Sequence, residues 1–496
     1  MVNQQSAFLD ASHVYGTDPV EHATLRDPDR RELLLLDEGR LLPRSLRPDR
    51  DGCSDPETSH FCFRAGDGRV NQQPAIALLQ ILYARQHNRI AQELKNLNPD
   101  WDAETVFEES RRVLVAQHQH LIYAEFLPLV LGGRYLTPGH GGRSQYDARR
   151  DPAVLVEFAT AAFRFGHGMA DHYSLVDERY RASVYSLADH FFQVDDLHQR
   201  GTVDRLIRGL VFQRARMPGP ALSDAVREHL YRNSSSQAGL DLAALNVQRG
   251  RDHALPGYGF WLRRCLGRQV HSFTDLHAFM EPHRAQMLAS LYEHPDDVEL
   301  WVGGLMERPA GPGALVGGTF ACVIGRQFRS FQQGDRFFYT HAGPMALSDV
   351  QLAEVSRFSL AKLLCANADE PHGMVIQKHV LLKPDSARNP LTPCDQLPDT
   401  DLRADVACRG ATFLPFGQMC TRRRNGRHCS RINWVEATTT CHGHGVGQTV
   451  WNSCGLYFDL FSPGDAMREN KAESLALRQL VQSRNYPALA TVERNH

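Results

Sequence analysis

The stretch "FATAAFRFGHGMADHY", residues 158–173, places one histidine, His167, at the end of a run that is apolar nearly all the way round. Asp151 and Pro152 supply a helix start ahead of it, and Val154, Leu155, Val156, Phe158, Phe163 and Phe165 point in several directions, which predicts a central, buried helix. A buried imidazole has two readings. Among 24 histidines, one on an apolar helix is more often a hydrogen-bonded core residue than a ligand. Its neighbours favour a ligand: Arg164 lies one turn earlier and, on a buried helix, demands an anion. Gly166 and Gly168 remove side chains on either side, where a flat group could approach the backbone.

Working outward, residues 74–97 open with proline and keep Ile76, Leu79, Tyr83, Ile90, Leu94 and Leu97 near helical spacing, which predicts a long amphipathic helix. Residues 102–127 repeat the pattern, with Asp102 as N-cap and Pro128 ending or kinking the run. Further helices are expected at 203–213, 221–232, 274–290 and 350–365, and a strand at "HVLLK", 379–383. The expected fold class is mainly α. From about residue 400 the character changes, so a boundary is placed with residues 1–405 before it and a cysteine-rich tail, 406–496, after it.

The 496 residues carry a formal charge of −2, which excludes a strongly basic nucleic-acid binder, and no apolar run is long enough to span a membrane. The first residues have no basic segment followed by an apolar one, so no signal peptide is read. Eleven cysteines nevertheless suit an oxidising compartment, and an odd number leaves one free or paired outside the chain. That mismatch leads to the expectation that Met1 is not the natural start. In the tail, Arg422, Arg423, Arg424 and Arg427 read as a solvated basic loop or a contact for an acidic partner. Cys441, His442, His444 and Cys454 fit no standard zinc spacing.

Two further clusters carry polar groups: "CFRAGDGRVNQQP", 62–74, with Arg69, and "ALNVQRGRDHALPGYGFW", 244–261, with Asn246 and Arg249. Locally, the first fits an exposed arginine in a glycine turn and the second a charged helix terminus. Their order decides. "FLDASHVYGTD" (8–18), "AGDGRVNQQP" (65–74), "HNRIAQELKNLNPDWD" (87–102), "FLPLVLG" (126–132), "AFRFGHGM" (162–169), "LDLAALNVQRGRDHALPGY" (240–258) and "GDRFFY" (334–339) follow one another as in the animal haem peroxidases, which the chain resembles to about residue 405.

The resemblance implies a large helical domain with haem b between central helices. His167 is implied as the iron's axial ligand, Asn246 as its hydrogen-bond partner, and Arg164 and Arg249 as holders of the haem propionates. Arg69 matches the distal arginine that stabilises charge on peroxide oxygen. Gln72 stands where many members have an ester-forming glutamate, and an amide cannot make that link. Ser6, the Phe8 carbonyl, Asp10 and Ser12 match a calcium loop, although Asp10 and Ser12 equally fit a helix cap. Cys53 with Cys62, Cys265 with Cys322, and Cys365 with Cys394 fall where the family has disulfides, and Asn233 in "NSSS" fits the pattern of a glycosylation acceptor.

The implied activity is reduction of hydrogen peroxide and oxidation of a halide, thiocyanate or phenolic donor through ferryl intermediates, in a secreted protein. The family's distal histidine sits in a "GQxxxHD" segment that this sequence does not contain, and His13 matches no catalytic position. A weak peroxide step is therefore expected. The alternative is an extracellular matrix or adhesion protein that keeps the fold without the chemistry, with a matrix partner bound through the tail; no "RGD" tripeptide supports it.

Overall fold

The computed structural model describes residues 5–48, 61–132, 143–232, 238–343 and 346–405, with the backbone of 418–423 and 426–431. Two compact units, 1–413 and 414–496, divide the chain. In the first, the helix Pro74–Leu97 forms where its spacing predicts. Gln73 caps it by accepting from Ala75 N at 2.7 Å, and Pro74 needs no partner for a missing N–H at that position. It packs on Ala103–Leu121, capped by Asp102, burying Leu78, Ile81, Leu82 and Leu94 with Phe107, Val113 and Leu114.

Pro128 does not end this second helix. A π turn, Ile122–Phe126, inserts one residue and shifts the hydrogen-bond register just before the proline, which has no N–H to give, and the helix resumes as Leu127–Leu131. A second core gathers Phe158, Phe165, Trp301, Phe320, Ile324 and Phe328 around the helix Gly318–Gly334, next to Leu300–Met306. A third holds Tyr258, Leu262, Met280 and Leu288, joining the helices Tyr258–Leu266 and Pro282–Leu291.

The mainly α expectation holds, with several corrections of extent. The 203–213 helix is Thr202–Phe212, but 221–232 shrinks to Asp224–Arg227 because Leu230 leaves to bridge Leu240. Residues 274–290 divide at Pro282 into the 3₁₀ turn Phe273–Ala278 and the helix Pro282–Leu291. Residues 350–365 divide into Asp349–Val355 and Leu360–Ala366, where Ser359 caps a fresh start by accepting from Lys362 N.

The expected strand at 379–383 is a turn, because Asn389 captures its backbone. The amide of Asn389 accepts from His379 N and donates to the carbonyls of His379 and Lys383, all at 3.0 Å. The strand lies just before it, Val375–Gln377 paired antiparallel with Leu391–Pro393. A hairpin pairs Tyr173–Val176 with Ala182–Tyr185, Tyr173 opposite Tyr185. In the second unit Gln418–Arg423 pairs antiparallel with Gly426–Arg431. No helix among the described residues is long and apolar enough to cross a membrane.

The disulfides Cys265–Cys322 and Cys365–Cys394 are present. Cys62 is buried and disulfide-bonded; Cys53 lies outside the described residues, as do Asn233, Cys441, His442, His444 and Cys454.

Candidate functional site

The segment carrying His167 is not the single long helix its apolar pattern predicts. Helix forms only over Val156–Thr160; Ala161 then leaves helical geometry, with φ −136° and ψ −70°, and the chain tightens into the 3₁₀ helix Ala162–Met169. With three residues per turn, Arg164 and His167 stack on one face. Opposite them runs the helix Leu242–Asp252, capped by Asp241, which accepts from Ala243 N at 2.7 Å.

Asn246 projects from that helix, wholly buried, between the two side chains. Its amide nitrogen stands 2.9 Å from His167 Nδ1, and its oxygen accepts from Arg164 Nη1 at 3.0 Å. By turning about its last bond the amide can present either its donor nitrogen or its acceptor oxygen to His167. Burial pushes the His167 pKa down to about 4, aided by the Arg164 charge and opposed by the Asn246 bond, so the ring is neutral near pH 7. Arg164 also donates through Nε to Ala159 O at 2.9 Å, and Trp301 Nε1 donates to the Arg164 carbonyl at 3.4 Å.

Arg249 lies one turn beyond Asn246, and Arg164 feels its charge: burial first and then Arg249 hold the Arg164 pKa down. Arg249 is 3.6 Å from Asp252, whereas among the described residues no carboxylate pairs with Arg164. Two like charges brought together with one carboxylate between them accommodate an added anion. The glycines divide their roles. A methyl group on Gly166 would meet nothing within 4 Å, so that face is open, whereas one on Gly168 would lie 2.7 Å from Gly219 O. Only Gly166 offers room for a flat group; Gly168 serves backbone packing.

Arg69 lies on a 3₁₀ turn, Gly68–Asn71, that Asp67 caps. Its guanidinium folds back on Asp67, with Nε at 3.0 Å and Nη2 at 2.5 Å, and its side chain remains 64% exposed. Arg69 makes no hydrogen bond to His167, Asn246 or Arg164. Both groups border one core: Gln72 O accepts from Phe192 N at 3.3 Å, and Phe192 and Tyr231 pack on the cluster that holds Phe165 and takes in Leu242 and Ala243.

The expected calcium loop closes on itself. Ser6 Oγ donates to Asp10 Oδ2 at 2.7 Å, Phe8 N donates to Ser6 Oγ at 3.1 Å and Ser12 N donates to Asp10 Oδ1 at 3.0 Å. Ala11 adopts φ 55°, a conformation non-glycine residues rarely take, which turns the chain within the loop. Among the described residues no three histidine, cysteine or acidic side chains cluster as a metal site. The loop has a second acidic neighbour that sequence reading did not assign. Asp335, from the quoted "GDRFFY" motif, accepts from Gln119 Nε2 at 3.2 Å, and the same nitrogen donates to Leu9 O. Burial, with Asp10 nearby, raises the Asp335 pKa to about 6.

A separate groove of about 480 Å³ lies over the outer side of Pro74–Leu97. Its Arg40 and Arg85 are both taken by Asp369, at 3.2 and 2.8 Å, and it shares no residue with the His167 cluster.

The sequence model of the animal haem peroxidases matches residues 1–381, and the chain belongs to that family. It is 37% identical over 412 residues to the chorion peroxidase of Drosophila melanogaster, covering 80% of this chain and 50% of that protein. It is also 37% identical over 391 residues to the thyroid peroxidase of Sus scrofa, covering 75% and 42% respectively. The chain thus spans about half the length of these relatives. Among solved structures, peroxidase A from Dictyostelium discoideum superposes with a TM-score of 0.65 at 29% identity, covering 75% of this chain and 70% of that one. The fatty acid α-dioxygenase of Arabidopsis thaliana shares the fold, with a TM-score of 0.60 at 18% identity, covering 79% and 66%.

Proposed function

We propose that the domain of residues 1–405 binds haem b through His167 Nε2 and acts as a peroxidase on hydrogen peroxide and a small halide, thiocyanate or phenolic donor. The observation that carries this reading is the His167–Asn246–Arg164 relay beside the open face of Gly166. Bound haem would supply the redox chemistry, accepting oxygen from peroxide and returning oxidising equivalents to the donor.

The residues divide the remaining work. An imidazole that ligates through Nε2 carries its proton on Nδ1, so Asn246 must then present its oxygen to His167. That turn of the amide takes its oxygen away from Arg164, which with Arg249 is left to hold the propionates. A neutral amide leaves less negative charge on the ring than a carboxylate would. Arg69, released from Asp67, would hold charge on the peroxide oxygen as the O–O bond breaks. Gln72 cannot form an ester, so the haem would be held without that covalent link. Ser6, Phe8, Asp10 and Ser12, with Asp335 close by, are the proposed calcium ligands and their acidic neighbour.

The cysteine content and the paired cysteines support a secreted protein. No histidine within residues 1–496 is assigned to carry a proton to the leaving oxygen. Guaiacol oxidation by haem-loaded residues 1–496 is expected to fall about two to four orders of magnitude below that of a peroxidase with a distal acid–base histidine. Arg69→Ala is expected to lower the residual rate by about another 100-fold. Fast turnover indifferent to Arg69→Ala contradicts this division of roles.

A further inference from the structure

Two phenol–imidazole pairs lie along the Pro74–Leu97 helix. Tyr83 Oη is 2.9 Å from His118 Nδ1 on the facing helix, and Tyr15 Oη is 2.8 Å from His87 Nδ1. In each the phenol is buried and can donate to a ring nitrogen able to take its proton. One-electron oxidation makes a phenol strongly acidic, so a base in hydrogen-bond contact is what makes a tyrosine oxidisable inside a protein.

Charge separates the two pairs. His87 lies among Arg26, Arg111 and His22, all of which oppose an imidazolium there, and its Nε2 is bound to Glu32 O at 3.2 Å. Tyr83 has an acidic neighbour, Glu125, on the π turn Ile122–Phe126, and one Glu125 oxygen is buried without a hydrogen-bond partner among the described residues. Among the described residues the one group whose charge would oppose an imidazolium at His118 is His13, which burial keeps neutral near pH 7. The His13 ring packs 5.1 Å from Tyr83 and 5.2 Å from His118, within electrostatic reach of Asp67, the partner of Arg69. The pair therefore adjoins the Arg69 side of the site.

We propose that Tyr83 is a redox-active residue, with His118 as its proton acceptor, holding one oxidising equivalent inside the domain. One electron leaves the Tyr83 ring for the oxidant, the Oη–H bond breaks and an N–H bond forms at His118 Nδ1. The products are a neutral phenoxyl radical and an imidazolium, and an electron from a donor reverses both changes. His118 must begin with its proton on Nε2. The natural oxidant, a peroxide-oxidised haem, rests on the function proposed above; the oxidisable pair does not.

Photo-oxidation of the whole chain with ruthenium tris-bipyridine and persulfate supplies the oxidant without haem, and a hydrophilic reductant then removes exposed radicals. Electron paramagnetic resonance should show a long-lived phenoxyl signal in the wild type and in Tyr15→Phe that is lost in Tyr83→Phe. His118→Gln, which retains an acceptor but no base, should slow radical formation and diminish its solvent deuterium isotope effect. An undiminished signal in Tyr83→Phe, with the thermal midpoint unchanged, overturns the assignment. A photo-generated Tyr83 radical that peracetic acid fails to reproduce in the haem-loaded chain rejects the haem as oxidant and leaves the pair standing.

Discussion

At the scale of single residues, the site turns on a wholly buried amide. Asn246 touches both His167 and Arg164, so its removal leaves an imidazole nitrogen and a guanidinium without their shared partner. Asn246→Ala is expected to weaken haem affinity by about 10–100-fold, measured by competitive haem transfer; an unchanged affinity would show that the amide does not orient the ligand. His167, Arg164 and Asn246 were legible in the sequence because each stands in a long ordered motif. Tyr83 and His118 were not, because Tyr83 reads as one more apolar position of an amphipathic helix and its partner comes from another. Asp335 lay in plain view within "GDRFFY", but its meaning depends on Asp10, more than 300 residues earlier.

At the scale of elements, legibility followed end signals rather than length. Pro74–Leu97 has a cap, a leading proline and six turns of period, whereas Gly318–Gly334 begins and ends in glycine, which hides a buried helix from a reading by propensity. The 3₁₀ segment at His167 was hidden because apolar residues on all sides suit both helix types, and the break at Ala161 comes from packing. This segment yields a contrast. Gly168→Ala would place a methyl 2.7 Å from Gly219 O and 3.1 Å from Gly219 N, both backbone atoms, whereas Gly166→Ala meets open space. Gly168→Ala is expected to lower unfolding free energy by about 1–3 kcal/mol in a urea titration, and Gly166→Ala to change it less. Equal effects would mean that the 3₁₀ helix shifts freely.

At the scale of the molecule, buried imidazoles set an acid limit to stability. Burial holds His87 and His118 down to about 3 from 6.5, so between those values the unfolded chain binds protons there and the folded chain does not. Their contribution is whole above pH 6.5 and is lost as pH falls, by up to about 1.4 kcal/mol per pH unit per group. Glu109 and Asp335, raised to about 7 and about 6, work in the opposite direction. A difference isolates one group: the gap in thermal midpoint between wild type and His87→Gln should narrow from about pH 8 to about pH 5. A constant gap would place His87 in contact with solvent. The central claim, that His167 is the residue on which the domain assembles a haem site, is tested most directly by titrating haem into the chain and following the Soret band. The wild type should give a saturable band of a histidine-ligated haem that His167→Ala abolishes and added imidazole restores, and a band unchanged in His167→Ala would contradict it.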